Sequence, residues 1–104
     1  MWARVSRFVE PLNRLDDDIR ESKDSVKELL DKSPGSEGVY YLFDRKSGRT
    51  MAITLWESEE AMRASEDVAA RMREQSTSRL GGEIVSVEHY EVAVQPSDVM
   101  AMRR

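Results

Sequence analysis

The sequence predicts an α+β domain of the ferredoxin-like βαββαβ type, a four-stranded antiparallel sheet with two helices on one face. Three observations predict it. Four short runs are rich in β-branched, aromatic and aliphatic residues. Two longer stretches between them carry apolar residues at helical spacing. The order along the chain is strand, helix, strand, strand, helix, strand. At 104 residues the chain suits one domain, placed at 1–94, with a C-terminal tail at 95–104.

The first strand is Trp2 to Val9, where Trp, Val and Phe alternate with Arg and Ser. Pro11 suits the first turn of a helix, because its missing N–H would have no partner there anyway. From Leu12 the apolar stripe runs through Leu15, Ile19, Val26, Leu29 and Leu30, with Ser22 filling the gap. The acidic run Asp16-Asp17-Asp18 is read as a solvated face. Ser33-Pro34-Gly35 stops the helix. Gly38 to Asp44 and Arg49 to Glu57 read as a hairpin around Arg45-Lys46-Ser47-Gly48. Ser58 is an N-cap for a helix expected to run to about Leu80, with Glu59 and Glu60 at its positive end. Gly81-Gly82 ends that helix. Glu83 to Val94 is the last strand, with a bulge expected near Glu88-His89 to bring its Val and Tyr residues onto one face. Gln95-Pro96 breaks it, and Val99, Met100 and Met102 fit a short helical turn in the tail.

Bulk properties exclude several function classes. A net charge of −4 repels phosphate backbones and argues against nucleic acid. With no cysteine there is no disulfide, thiol nucleophile or thiolate metal site, a pattern compatible with a reducing, cytoplasmic location. One histidine and no cysteine leave no ordinary zinc set. Consecutive helical residues point about 100° apart, so the three aspartates cannot converge on an ion. Neither cofactor nor metal is expected. Charges at Arg4, Arg7 and Glu10 interrupt any signal-peptide core, and no stretch is long and apolar enough for a membrane span. The glycines form no phosphate-binding or nucleophile-elbow motif.

An even-numbered hairpin loop divides its residues into two faces. Tyr40, Leu42, Met51, Ile53 and Leu55 form an aliphatic set that suits packing on helices. Val39, Tyr41, Phe43, Thr50, Ala52, Thr54 and Trp56 then form the open face. That set is too apolar for water, where a sheet face should alternate to polar residues. A second copy stacked sheet on sheet would cover it, so a homodimer is expected.

Two segments resemble the antibiotic biosynthesis monooxygenase (ABM) domains of the dimeric α/β-barrel superfamily. They are Thr54-Leu55-Trp56-Glu57-Ser58-Glu59-Glu60-Ala61 at the strand-to-helix junction and Val85-Ser86-Val87-Glu88-His89-Tyr90-Glu91-Val92 in the closing strand. The resemblance implies a dimeric α/β barrel and, in some members, oxygenation of aromatic or polyketide substrates without metal or flavin. A haem-degrading branch uses an Asn on the first strand and a Trp and a His on the second helix. Trp2 to Val9 has no Asn, and Ser58 to Leu80 has neither Trp nor His, which argues against that chemistry.

Four residues are candidates for the site. His89, the only histidine, could shuttle protons, or could be a strand residue satisfied by Glu88 or Glu91. Trp56, Tyr41 and Tyr90 could line a pocket for a small aromatic ligand, and each is equally an ordinary core or interface residue. Two functions remain open: a cofactor-independent monooxygenase, and a non-catalytic dimeric module that binds a ligand or supports another protein. An enclosed apolar pocket above ~300 Å³ with convergent polar groups would favour the enzyme.

Overall fold

The computed structural model describes residues 1–102. It contains β1 (Trp2–Val9), a 3-10 turn (Leu12–Arg14), α1 (Leu15–Lys32), β2 (Ser36–Phe43), β3 (Arg49–Trp56), α2 (Glu59–Ala64), α3 (Glu66–Leu80), β4 (Glu83–Glu91) and α4 (Pro96–Ala101). The sheet order is β2-β3-β1-β4, all antiparallel, and it is open rather than closed into a barrel. Residues 103 and 104 of the expected tail, with their basic pair, lie outside the described residues.

The hairpin register pairs Tyr40 with Ile53, Tyr41 with Ala52, Leu42 with Met51 and Phe43 with Thr50, so the residues divide into the two expected sets. Their sides are reversed. Val39, Tyr41, Ala52 and Thr54 face α1 and α3, and Trp56 is fully buried on that side. Tyr40, Leu42, Met51, Ile53 and Leu55 are on the open face, where Tyr40 is 63% and Leu42 48% exposed. The reason lies in β1. Its helix-facing row is Trp2, Arg4, Ser6 and Phe8, which carries two polar residues that the core nevertheless buries.

Other departures also have local causes. Asp18 is only 1% exposed and is not part of a solvated run. It lies three residues after Leu15 and four before Ser22, on the inward stripe. Asp16 and Asp17 do reach surface arginines, Arg45 and Arg14. The expected single second helix breaks at Ser65. There Arg4 Nη2 donates to the Met62 carbonyl (2.6 Å) and to Ser65 Oγ (2.7 Å), taking a carbonyl that a continuous helix would use. The bulge in β4 falls at Val85, between the Arg7–Ser86 and Phe8–Ile84 pairs, not near Glu88-His89. β4 itself ends at Glu91 and not Val94, because its pairing with β1 runs out at a last bond from Val92 N–H to the Met1 carbonyl.

Candidate functional site

Between the sheet and the helix pair α1/α3 lies a cavity of about 100 Å³. Phe8, Val26, Leu29, Val39, Ala52 and Met72 give it apolar walls. Its polar groups come from several elements: Ser22 and Ser25 from α1, Thr54 from β3, Arg73 and Ser76 from α3, and Arg4, Ser6 and Glu10 from β1 and the residue after it, where strict alternation places them with Phe8 on one side. Arg4 and Glu10 are six residues apart, so their Cα atoms are separated by about 20 Å along the strand. The two ends of the row carry opposite chemistry.

At the Arg4 end, the guanidinium is 2% exposed. Its Nε lies 2.8 Å from Glu66 Oε2, and its Cζ stacks 5.3 Å from the centre of the Trp56 ring. Arg4 Nη1 finds no hydrogen-bond partner among the described residues. Arg73, also in the cavity wall, reaches Glu66 Oε1 at 2.6 Å, and His89 Nε2 lies 3.4 Å from Glu66 Oε2. Two guanidiniums therefore share one carboxylate. Burial, and secondarily the neighbouring Arg73, lower the Arg4 pKa; Glu66 opposes this. Burial pushes the Glu66 carboxyl upward, but its hydrogen bond from Arg73 and the charge of Arg4 outweigh that and hold it below the usual range.

At the other end, Glu10 is 4% exposed. Burial, then the neighbouring Asp18 carboxyl, push the Glu10 pKa up to about 8, with Glu21 adding and Arg14 opposing. Glu10 Oε2 has no hydrogen-bond partner among the described residues. The Tyr41 hydroxyl donates to Asp18 Oδ2, and Ser22 donates to Asp18 Oδ1 at 3.2 Å. Burial and that contact raise the Tyr41 pKa well above the phenolic range. A buried carboxyl with a raised pKa, beside a second carboxyl and a phenol, is an arrangement through which a proton can move, a proton-transfer set in chemical terms.

The backbone fixes Glu10 in place. Its N–H donates to the Gly48 carbonyl at 2.8 Å. A Cβ on Gly48 would stand 2.2 Å from the Glu10 carbonyl oxygen, and Gly48 has φ +78°.

Of the residues singled out in the sequence, Tyr41 lines the cavity. Trp56 sits behind Arg4 with its indole N–H donating to Thr54 Oγ1 at 3.0 Å. His89 is opposite Arg4 in the β1–β4 register and reaches the site through Glu66. Tyr90 is on the far side of the sheet, 49% exposed, with its hydroxyl on Glu88. The structure thus brings Tyr41 to the cavity and Trp56 and His89 to its Arg4 end, and leaves Tyr90 apart. Arg4, Glu10 and Asp18 were missed. The available signal was period-two spacing with Trp2 and Phe8 for the first two, and the Leu15 stripe for Asp18. Among the described residues no three His, Asp or Glu are placed to hold a metal ion, and no helix is long and apolar enough to cross a membrane.

Comparison with solved structures gives the architecture a relative. MupZ from Pseudomonas fluorescens superposes with a TM-score of 0.70 at 13% identity, over 98% of this chain and 78% of its own. A monooxygenase from the ActVA-Orf6 gene of Streptomyces coelicolor, in complex with nanaomycin D, gives 0.65 at 20% identity over 91% of each chain. A Deinococcus radiodurans protein assigned as an antibiotic biosynthesis monooxygenase gives 0.69 at 11% identity, over 91% of this chain and 95% of its own. The chain has the ABM-like fold. At these identities the likeness concerns the fold alone, and the fold hosts more than one chemistry. No protein-family model matches the chain. Two uncharacterized proteins of Mycobacterium tuberculosis, Rv2557 and Rv2558, are similar in sequence. Rv2557 is 33% identical over 98 residues and Rv2558 36% over 99, each match covering 94% of this chain. The matches span 43% and 41% of those proteins, so the chain covers less than half the length of the curated relatives.

Proposed function

We propose that the ABM-like domain, residues 1–94, works as a homodimeric, cofactor-independent monooxygenase on a small aromatic molecule bound between sheet and helices. The observation that carries this reading is that Glu10 and Tyr41 both line the cavity, with Asp18 behind them accepting from the Tyr41 hydroxyl. Oxygenation without metal or flavin needs a substrate that can itself reduce dioxygen, and a phenol does so once it loses its proton. With its pKa raised to about 8, Glu10 in its ionised form is a stronger base than an ordinary carboxylate and takes that proton. The phenolate gives electrons to dioxygen, an oxygen atom bonds to the ring carbon, and water leaves. One phenol and one dioxygen become one quinone and one water.

The homodimer rests on the open face of the sheet. Tyr40, Leu42, Val85 and Tyr90 are exposed there around half-buried Met51, Ile53 and Leu55. The charged side chains in its middle, Arg7 and Glu88, pair with each other at 3.0 Å. The patch is therefore apolar and locally neutral, and a second copy meets no like charge at its centre. Val99 and Met100 of α4 are themselves exposed, so α4 is not buried against the patch.

One observation favours a second reading, a dimeric module that binds without turnover. The cavity, about 100 Å³, is smaller than the ~300 Å³ of ordinary ligand pockets. Oxygen uptake separates the two. With phenols and hydroquinones as substrates, the enzyme consumes dioxygen stoichiometrically with quinone formed, and Glu10→Gln lowers the rate at least tenfold while the fold is kept. Stabilisation of the protein by a phenol with no oxygen uptake would leave only the module.

A further inference from the structure

The Arg4 end of the cavity carries a net positive charge, two guanidiniums meeting one carboxylate. Arg4 and Arg73 are both in the wall, and the acidic side chain between them is Glu66 alone. His89 adds no negative charge. A buried guanidinium is stable when its donors are all used and its charge is matched. Arg4 Nη2 is satisfied by the Met62 carbonyl and Ser65, while Nε, though 2.8 Å from Glu66 Oε2, makes no aligned hydrogen bond. Nη1 is buried and unpartnered, in a residue that faces the cavity.

The opposite end repels the same ligand group. Glu10, Asp18 and the nearby Glu21 supply carboxyls there, with Arg14 as the neighbouring cation. An anion entering the cavity is therefore drawn to Arg4, and its apolar body lies along Val39, Ala52 and Met72 toward Tyr41. Size sets an upper limit. A cavity of 150 Å³ accepts benzene in another protein, so about 100 Å³ here admits at most one ring, seated partly at the cavity mouth, and excludes a polycyclic skeleton.

We infer that the ligand is a small monoanion, a single-ring aromatic carboxylate, whose carboxylate binds Arg4 Nη1 and Arg73 and whose ring points toward Tyr41 and Glu10. This rests on the placement of the site under the proposed function, but not on turnover. It also orients the ligand: the carboxylate anchors one end of the ring, and the other end points along the wall toward Tyr41.

The test is calorimetric titration of the full chain with benzoate and with benzamide, a neutral molecule of nearly the same shape. Benzoate binds at least tenfold more tightly than benzamide at pH 7, and Arg4→Met removes that preference. Arg4 also ties α2 to β1, so Arg4→Met is accompanied by a thermal melt. Should it fail to fold, Arg73→Gln decides, with benzoate affinity falling at least fivefold and that of benzamide unchanged. Equal binding of the two, or none of either up to 10 mM, overturns the inference. Benzoate selectivity without oxygen uptake from hydroxylated benzoates would sink the oxygenase reading and leave the anion site standing. Oxygen uptake from neutral phenols with no preference for benzoate would do the reverse.

Discussion

Glu10 is a carboxyl that the fold keeps protonated through part of the neutral range. The cost of ionising it comes first from burial and then from Asp18 alongside, with Glu21 adding to it and Arg14 offsetting part. In the unfolded chain the same group titrates near 4.5, and in the folded chain at about 8. Between those values the folded state holds a proton that the unfolded state has lost. Stability from this group is therefore greatest below 4.5, falls as pH rises, and levels off above about 8. Glu10→Gln keeps a hydrogen-bonding side chain and removes the titration. Its melting temperature relative to the parent protein should rise from pH 5 to about pH 8 and then level off. Parallel melting curves across that range would show that Glu10 does not titrate as the geometry requires.

The turn between β2 and β3 closes on the end of β1 through glycine. Gly48 adopts a left-handed φ, and its missing side chain leaves room for the Glu10 carbonyl. Gly48→Ala should destabilise the chain by about 1–3 kcal/mol, from backbone strain plus displacement of Glu10. A denaturant titration unchanged from the parent would refute the clasp. Elements of this kind were legible in sequence. Gly48 reads as a turn, Ser58 as the cap of α2 (its hydroxyl accepts from Ala61 N–H at 3.1 Å), and the four strands by their β-branched, aromatic and aliphatic content. What local pattern could not give was the side of the sheet. Both faces of the β2–β3 hairpin are apolar, and β1 breaks the tie with a row that looks polar because it holds Arg4 and Ser6. The break between α2 and α3 was hidden for the same reason, since it is made by an arginine 58 residues away from Met62 in sequence. The candidate site followed: Tyr41 is aromatic and was visible, while Arg4, Glu10 and Asp18 look like surface charge until long-range packing buries them.

At the scale of the whole molecule, three layers are needed and one chain supplies two. Helices cover one side of the sheet, and the other side presents Tyr40, Leu42 and Val85 with no covering element among the described residues. Burying a large aliphatic or aromatic side chain contributes roughly 1.5–3 kcal/mol, so several such residues per copy favour association at micromolar concentration. A charge on this face need not disturb the helix-side cavity, which is walled by the other set of residues. Leu42→Glu, at a position already about half exposed, would place like charges at the contact of two copies without burying them in the single chain. Light scattering on a sizing column should give twice the 11.9 kDa chain mass for the parent protein and a single chain for the variant. Circular dichroism should show the variant still folded. A parent protein that elutes as a single chain at micromolar concentration, with the same mass as Leu42→Glu, would mean that the open face is covered by something other than a second copy.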